Sequence, residues 1–174
     1  VGPRLAHPGA DVLPIPVPAM TTDPRSPERP AVPPLMTGSP EATEALGEAL
    51  APALREGDVV ALEGPLGAGK TRFVAGLARG LECKARVRSP SFAIVNEYHG
   101  RLLLLHLDLY RLEHRDLDGL GLEEYAERGA LAVEWGEKLP SAWLSAALVV
   151  TLAPGDAPDA SDARTITAAA TAGR

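Results

Sequence analysis

Residues 64 to 71 read Gly64-Pro65-Leu66-Gly67-Ala68-Gly69-Lys70-Thr71, a complete G-x-x-x-x-G-K-T. The β-branched run Asp58-Val59-Val60-Ala61-Leu62 precedes it, and Phe73, Val74, Leu77 and Ala78 follow at helical spacing. A strand must feed such a loop and a helix must leave it, which restricts the chain to α/β architectures built around a phosphate-binding turn. The letters follow from the physics. Gly64, Gly67 and Gly69 allow backbone conformations that a side chain forbids, so that successive amides turn inward around phosphate oxygens. The N-terminal end of the following helix adds its partial positive charge. Lys70 is placed to reach the β and γ phosphates, and the Thr71 hydroxyl to ligate a magnesium ion bridging them. Pro65 has no amide proton to give, but the cradle is supplied mainly from Gly67 to Thr71. The motif therefore predicts a bound nucleoside triphosphate with Mg2+, with Gly64 to Thr71, including Leu66 and Ala68, as the nucleotide-binding loop.

Periodicity supplies the rest of the frame. Ser39-Pro40-Glu41 opens a helix over about 40–54 with Leu46, Leu50 and Leu54 on one stripe, and the loop is followed by a helix over about 70–81. Phe92 to Tyr98 alternates as a strand, while Leu102-Leu103-Leu104-Leu105-His106-Leu107-Asp108 is apolar on both faces, the profile of a central buried strand. A helical segment from Asp116 to Arg128 leads to the strand Ala130-Leu131-Ala132-Val133-Glu134-Trp135. Ala147 to Leu152 and Arg164 to Ala168 read as two further strands, antiparallel at an edge. The expected fold is α/β: a P-loop NTPase-like three-layer sandwich with a largely parallel central sheet and antiparallel edge strands, its ligand at the carboxyl ends of the strands.

Composition sets the boundaries of this domain. Ten prolines between Pro3 and Pro34 interrupt any helix or ladder, so residues 1–35 are expected to be a disordered or extended tail and 36–174 the P-loop ATPase domain. In the tail Arg4, Arg25 and Arg29 balance Asp11, Asp23 and Glu28, which leaves the whole formal charge of -6 on the domain. That balance disfavours strong unaided binding to a nucleic acid backbone. Nothing in the sequence reads as a signal peptide or a membrane span, and a cytoplasmic location is expected. Cys83 is the only cysteine, which rules out an internal disulfide or a zinc site.

The chemistry should lie where the two other buried strands end, at Asp108 and Glu134. A carboxylate closing an apolar run is how NTPases of this class reach the magnesium shell. In many hydrolysing relatives a second acid follows at once, yet here the next residue is Leu109, so Glu134 is the candidate for it. One of the two would hold magnesium, directly or through water, and the other would orient or deprotonate the attacking water; spacing does not assign the roles. Ser89-Pro90-Ser91-Phe92 stands where switch-type NTPases sense the γ phosphate, and Ser91 offers a hydroxyl there. His106 shares a strand face with Asp108 and has two readings, a hydrogen bond to it or simple packing. Arg111 has two as well, a phosphate or partner contact or a surface ion pair. Trp135 is expected as a half-buried platform near the nucleotide or a partner surface.

Taken together, Gly64 to Thr71, Ser89-Pro-Ser-Phe92, the spaced set His106, Asp108, Tyr110 and Arg111, then Gly121-Leu-Glu-Glu-Tyr125 and Glu134-Trp135 resemble the TsaE (YjeE) family over about residues 39–152. That resemblance implies a small magnesium-dependent ATPase, slow alone, needed to form threonylcarbamoyladenosine at position 37 of tRNA. It implies TsaB and TsaD as protein partners and tRNA only indirectly through their complex. Carried over, Lys70 and Thr71 serve phosphate and magnesium, Asp108 and Glu134 the metal and water, and Thr43 touches the nucleotide. The family commonly has Asp where this chain has Pro65, Thr for Ser91 and Thr for Arg72; Ser91 keeps the hydroxyl, whereas Pro65 loses a carboxylate near the metal. Two other classes remain: a small-molecule kinase, which would need an acceptor pocket and an Arg-bearing lid, and a nucleotide-binding adaptor that hydrolyses nothing. Glu113 to Arg128 is acidic with only Arg115 and Arg128 as lid arginines, which weighs against the kinase.

Overall fold

A computed structural model describes residues 34–90, 93–155 and 162–170. Most of the expected tail, and both Ser91 and Phe92, therefore lie outside the described residues. A short strand β1 (Leu35–Thr37) leads into helix α1 (Pro40–Leu50), which a single 3-10 turn (Ala51–Ala53) prolongs. Ser39 caps α1, its hydroxyl accepting from the Ala42 amide at 3.2 Å, and Pro40 takes the first helical position, where no amide proton is needed. Strand β2 (Val59–Glu63) feeds the phosphate loop and helix α2 (Lys70–Gly80) leaves it. Then come β3 (Val95–His99), β4 (Leu103–Asp108), the short helices α3 (His114–Leu117) and α4 (Leu122–Ala126), β5 (Ala130–Glu134), α5 (Ser141–Leu144), β6 (Leu148–Pro154) and β7 (Arg164–Ala170).

The seven strands form one sheet in the order β1-β7-β6-β2-β5-β4-β3. Its centre, β6-β2-β5-β4, is parallel, and the outer pairs β1·β7, β6·β7 and β3·β4 are antiparallel. The pleat sends alternate residues to opposite layers. Val60 and Leu62 of β2 pack with Leu104, Ala132 and Val150 under α1 and α2. Val59 and Ala61 pack with Leu105, Leu107, Leu131 and Val133 under Leu117, Leu122 and the segment carrying Trp143. Leu104, Leu105, His106 and Leu107 are wholly buried, as expected for a central strand covered on both faces. The three-layer α/β sandwich is therefore the fold, with a mainly parallel centre.

Two details position the site. Helices α1 and α2 cross with almost no space between them: a Cβ at Gly76 would meet the Glu44 carbonyl, and one at Gly47 the Phe73 carbonyl. This close seat holds the N-terminal end of α2 firmly under the loop. The predicted helical stretch 116–128 is instead two single-turn pieces, because Gly119 and Gly121 interrupt it and Gly121 has φ +67°. Among the described residues no helix is long and apolar enough to cross a membrane.

Candidate functional site

The phosphate loop turns at Gly64, where φ is +136° and a Cβ would collide with the Leu152 carbonyl at the end of β6. Only glycine allows the chain to leave β2 at that angle. Lys70, at 4% exposure, folds back over the loop and donates Nζ to the carbonyls of Gly64 at 2.6 Å and Pro65 at 3.0 Å. Pro65, although it lacks an amide proton, thus contributes its carbonyl, which also accepts the Ala68 amide at 3.1 Å. Burial pushes the Lys70 ammonium below the ordinary lysine range, while Glu134, Glu137 and Asp108 oppose that shift. The Lys70 ammonium also stands 4.1 Å from the centre of the Trp135 ring.

Parallel pairing places Asp108 of β4 directly opposite Glu134 of β5, so both acids end at the same edge of the sheet as the loop. Their hydrogen bonds differ. Glu134 Oε1 accepts the Thr71 hydroxyl at 2.7 Å and lies 2.9 Å from His106 Nε2. A carboxylate only accepts, so Nε2 is the donor, and in the neutral ring Nδ1 is left a bare acceptor, buried without a partner among the described residues. His106 is therefore tied to Glu134 and not to Asp108, because its ring, on the same face, reaches across to the neighbouring strand. Asp108 turns the other way, accepting the Ser89 hydroxyl at 3.0 Å and the Tyr110 amide at 3.0 Å.

An open cavity of about 780 Å³ lies over these groups. Its lining runs from Leu66 to Arg72 and takes in Ser89, Asp108, Tyr110, Arg111, Glu134 and Trp135. Trp135 is half-buried and packs its ring on Tyr110, with centroids 4.9 Å apart. It holds a left-handed backbone at φ +61°, and Ile94, also at the cavity, does so at φ +62°; such conformations cost a non-glycine residue about 1–2 kcal/mol. Lys138 braces this wall, donating Nζ to the carbonyls of Leu109, Tyr110 and Leu112 at 2.9, 2.6 and 3.0 Å. The loop, both acids, Thr71 and Trp135 are thus brought together. Thr43 is not part of the lining: it is 1% exposed, its hydroxyl meets that of Thr37 at 3.0 Å, and its methyl lies 3.7 Å from where a Cβ on Gly69 would stand. It supports the loop from behind.

The donors suit a hard cation. A hydroxyl and two carboxylates within one cavity offer only oxygen, the preference of magnesium, which keeps waters and takes phosphate oxygens to complete its shell. No three His, Cys, Asp or Glu side chains converge as a metal cage among the described residues, and a site of this kind needs none. Sequence reasoning did not single out Ser89, Lys138 or Arg164 as individual contributors. Ser89 is visible only as part of the segment Ser89-Pro90-Ser91-Phe92, whereas Lys138 and Arg164 act through backbone carbonyls distant in sequence, those of Leu109, Tyr110 and Leu112 and of Gly67 and Ala68, for which no pattern exists.

The chain and its fold also resemble known proteins. The family model described as threonylcarbamoyl adenosine biosynthesis protein TsaE matches residues 37–163. Curated relatives named tRNA threonylcarbamoyladenosine biosynthesis protein TsaE include one from Nostoc, 47% identical over 58% of this chain and 65% of its own length. Another, from Bacillus subtilis, is 46% identical over 60% of this chain and 69% of its own length. The chain thus aligns with about two thirds of each. The crystal structure of Bacillus subtilis YdiB superposes with a TM-score of 0.65 at 36% identity, covering 81% of this chain and 86% of that one. With the match extending over most of the chain, the protein belongs to the TsaE family.

Proposed function

We propose that this protein is a magnesium-dependent ATPase, slow by itself, that works with TsaB and TsaD to sustain formation of threonylcarbamoyladenosine at position 37 of tRNA in the cytoplasm. Residues 36–174 form its ATPase domain, and tRNA meets it only through the partner complex. The observation that carries the reading is the hydrogen bond from Thr71 to Glu134 at the mouth of a complete phosphate loop. With its proton given to Glu134, the Thr71 oxygen keeps its lone pairs for a metal.

Bound magnesium would supply charge neutralisation at the phosphate oxygens. Thr71 and Glu134 would hold it, the Glu134 carboxylate being fixed by His106 and by the Thr71 hydroxyl. Lys70 exchanges the Gly64 and Pro65 carbonyls for phosphate oxygens, and the amides of Gly67 to Thr71 receive the rest of the phosphate charge. Asp108, steered by Ser89 and the Tyr110 amide, orients the attacking water and accepts its proton.

Partner dependence is supported by the rim of the cavity. Leu66 is 79% exposed, Tyr110 51% and Ile94 38%, and all three border this one opening. Apolar groups gathered around the mouth of a cavity that holds two carboxylates and a lysine suit a protein surface that covers it. Calorimetric titration tests the nucleotide reading: MgATP should bind the purified chain, and Lys70→Ala should weaken it at least about tenfold. Absence of binding to the wild-type chain would sink it.

A further inference from the structure

The phosphate loop is held from outside by the last strand of the sheet. Arg164, the first residue of β7, donates Nε to the Ala68 carbonyl at 3.2 Å and an Nη to the Gly67 carbonyl at 3.3 Å, while its other Nη meets the Ala163 carbonyl at 2.7 Å. A guanidinium is planar and rigid, so one group gripping two successive carbonyls fixes the orientation of both peptide planes. Among the described residues every peptide bond is trans, and in a trans peptide the carbonyl and the following amide point opposite ways. Drawing the oxygens of Gly67 and Ala68 toward β7 therefore turns the amides of Ala68 and Gly69 away from it. The Ala68 amide indeed points across the loop, to the Pro65 carbonyl at 3.1 Å.

We propose that Arg164 is a positioning residue for the phosphates: acting through the Gly67 and Ala68 carbonyls, it fixes both peptide planes so that the Gly69 amide faces the anion, without touching it. The inference rests on the nucleotide site proposed above. It also gives the C-terminal strand a task of its own, since Arg164 lies just beyond the residues matched to the family. A purely structural Arg164 would affect melting and leave affinity alone, which separates the two roles.

The test is MgADP titration of the full chain by calorimetry, together with the Ala68 and Gly69 amide signals in a 1H–15N spectrum. Arg164→Ala is expected to raise the dissociation constant about tenfold and to move both amide signals in the unliganded protein. Arg164→Lys, with a point charge in place of the fork, should fall between the two, losing roughly threefold. Affinity within twofold of wild type for either variant overturns the proposal, and the Lys variant supplies the result if the Ala variant fails to fold. Failure of the wild-type chain to bind MgADP would instead overturn the nucleotide reading itself.

Discussion

Two carboxylates end neighbouring strands, yet their surroundings give them different work. Glu134 is buried at 5% exposure between the Thr71 hydroxyl and His106, whereas Asp108 faces Ser89 and the Tyr110 amide. If Asp108 serves the water, Asp108→Asn should lower kcat for phosphate release about a hundredfold and leave KM for MgATP within about threefold. If Glu134 serves the metal through Thr71, Glu134→Gln should raise the magnesium concentration for half-maximal activity about tenfold. Steady-state phosphate release over a magnesium series measures both; the same response from the two variants would contradict the division. The two acids were legible in the sequence because each closes an apolar strand. Their separate partners were not, since the turn of His106 toward Glu134 depends on the β4–β5 register, which no local pattern encodes.

The elements that carry the site were largely legible too, for the same reason: β2, α2, β4 and β5 have strong periodicity or complete apolar burial. What escaped was non-local or short. β1 gains its identity only by pairing with β7, more than a hundred residues away, and three residues carry no period to read. The crossing of α1 on α2 likewise depends on Gly47 and Gly76 facing each other, and either glycine alone reads as a weak point in a helix. Gly76→Ala should therefore destabilise the fold by about 1–3 kcal/mol although alanine favours helices, because the new methyl meets the Glu44 backbone. Chemical denaturation measures this, and an unchanged or raised stability would show that the crossing has slack.

For the molecule as a whole, the arrangement joins the proposed nucleotide site to an apolar rim. Ile94 contributes to that rim at the expense of a left-handed backbone, a conformation asparagine adopts far more readily. Ile94→Asn should thus raise stability by up to about 1 kcal/mol and at the same time weaken association with TsaB and TsaD about tenfold, as read by thermal melts and by binding titration. Stability and partner affinity moving together would argue that the rim serves folding only. Whether ATP turnover at this site sustains tRNA modification is read by reconstituting the protein with TsaB, TsaD and tRNA. Threonylcarbamoyladenosine is then counted over several turnovers beside phosphate release. Continued modification coupled to phosphate release is expected with the wild-type chain, and loss of both with Lys70→Ala; repeated turnover that proceeds equally well with Lys70→Ala would overturn the proposed role.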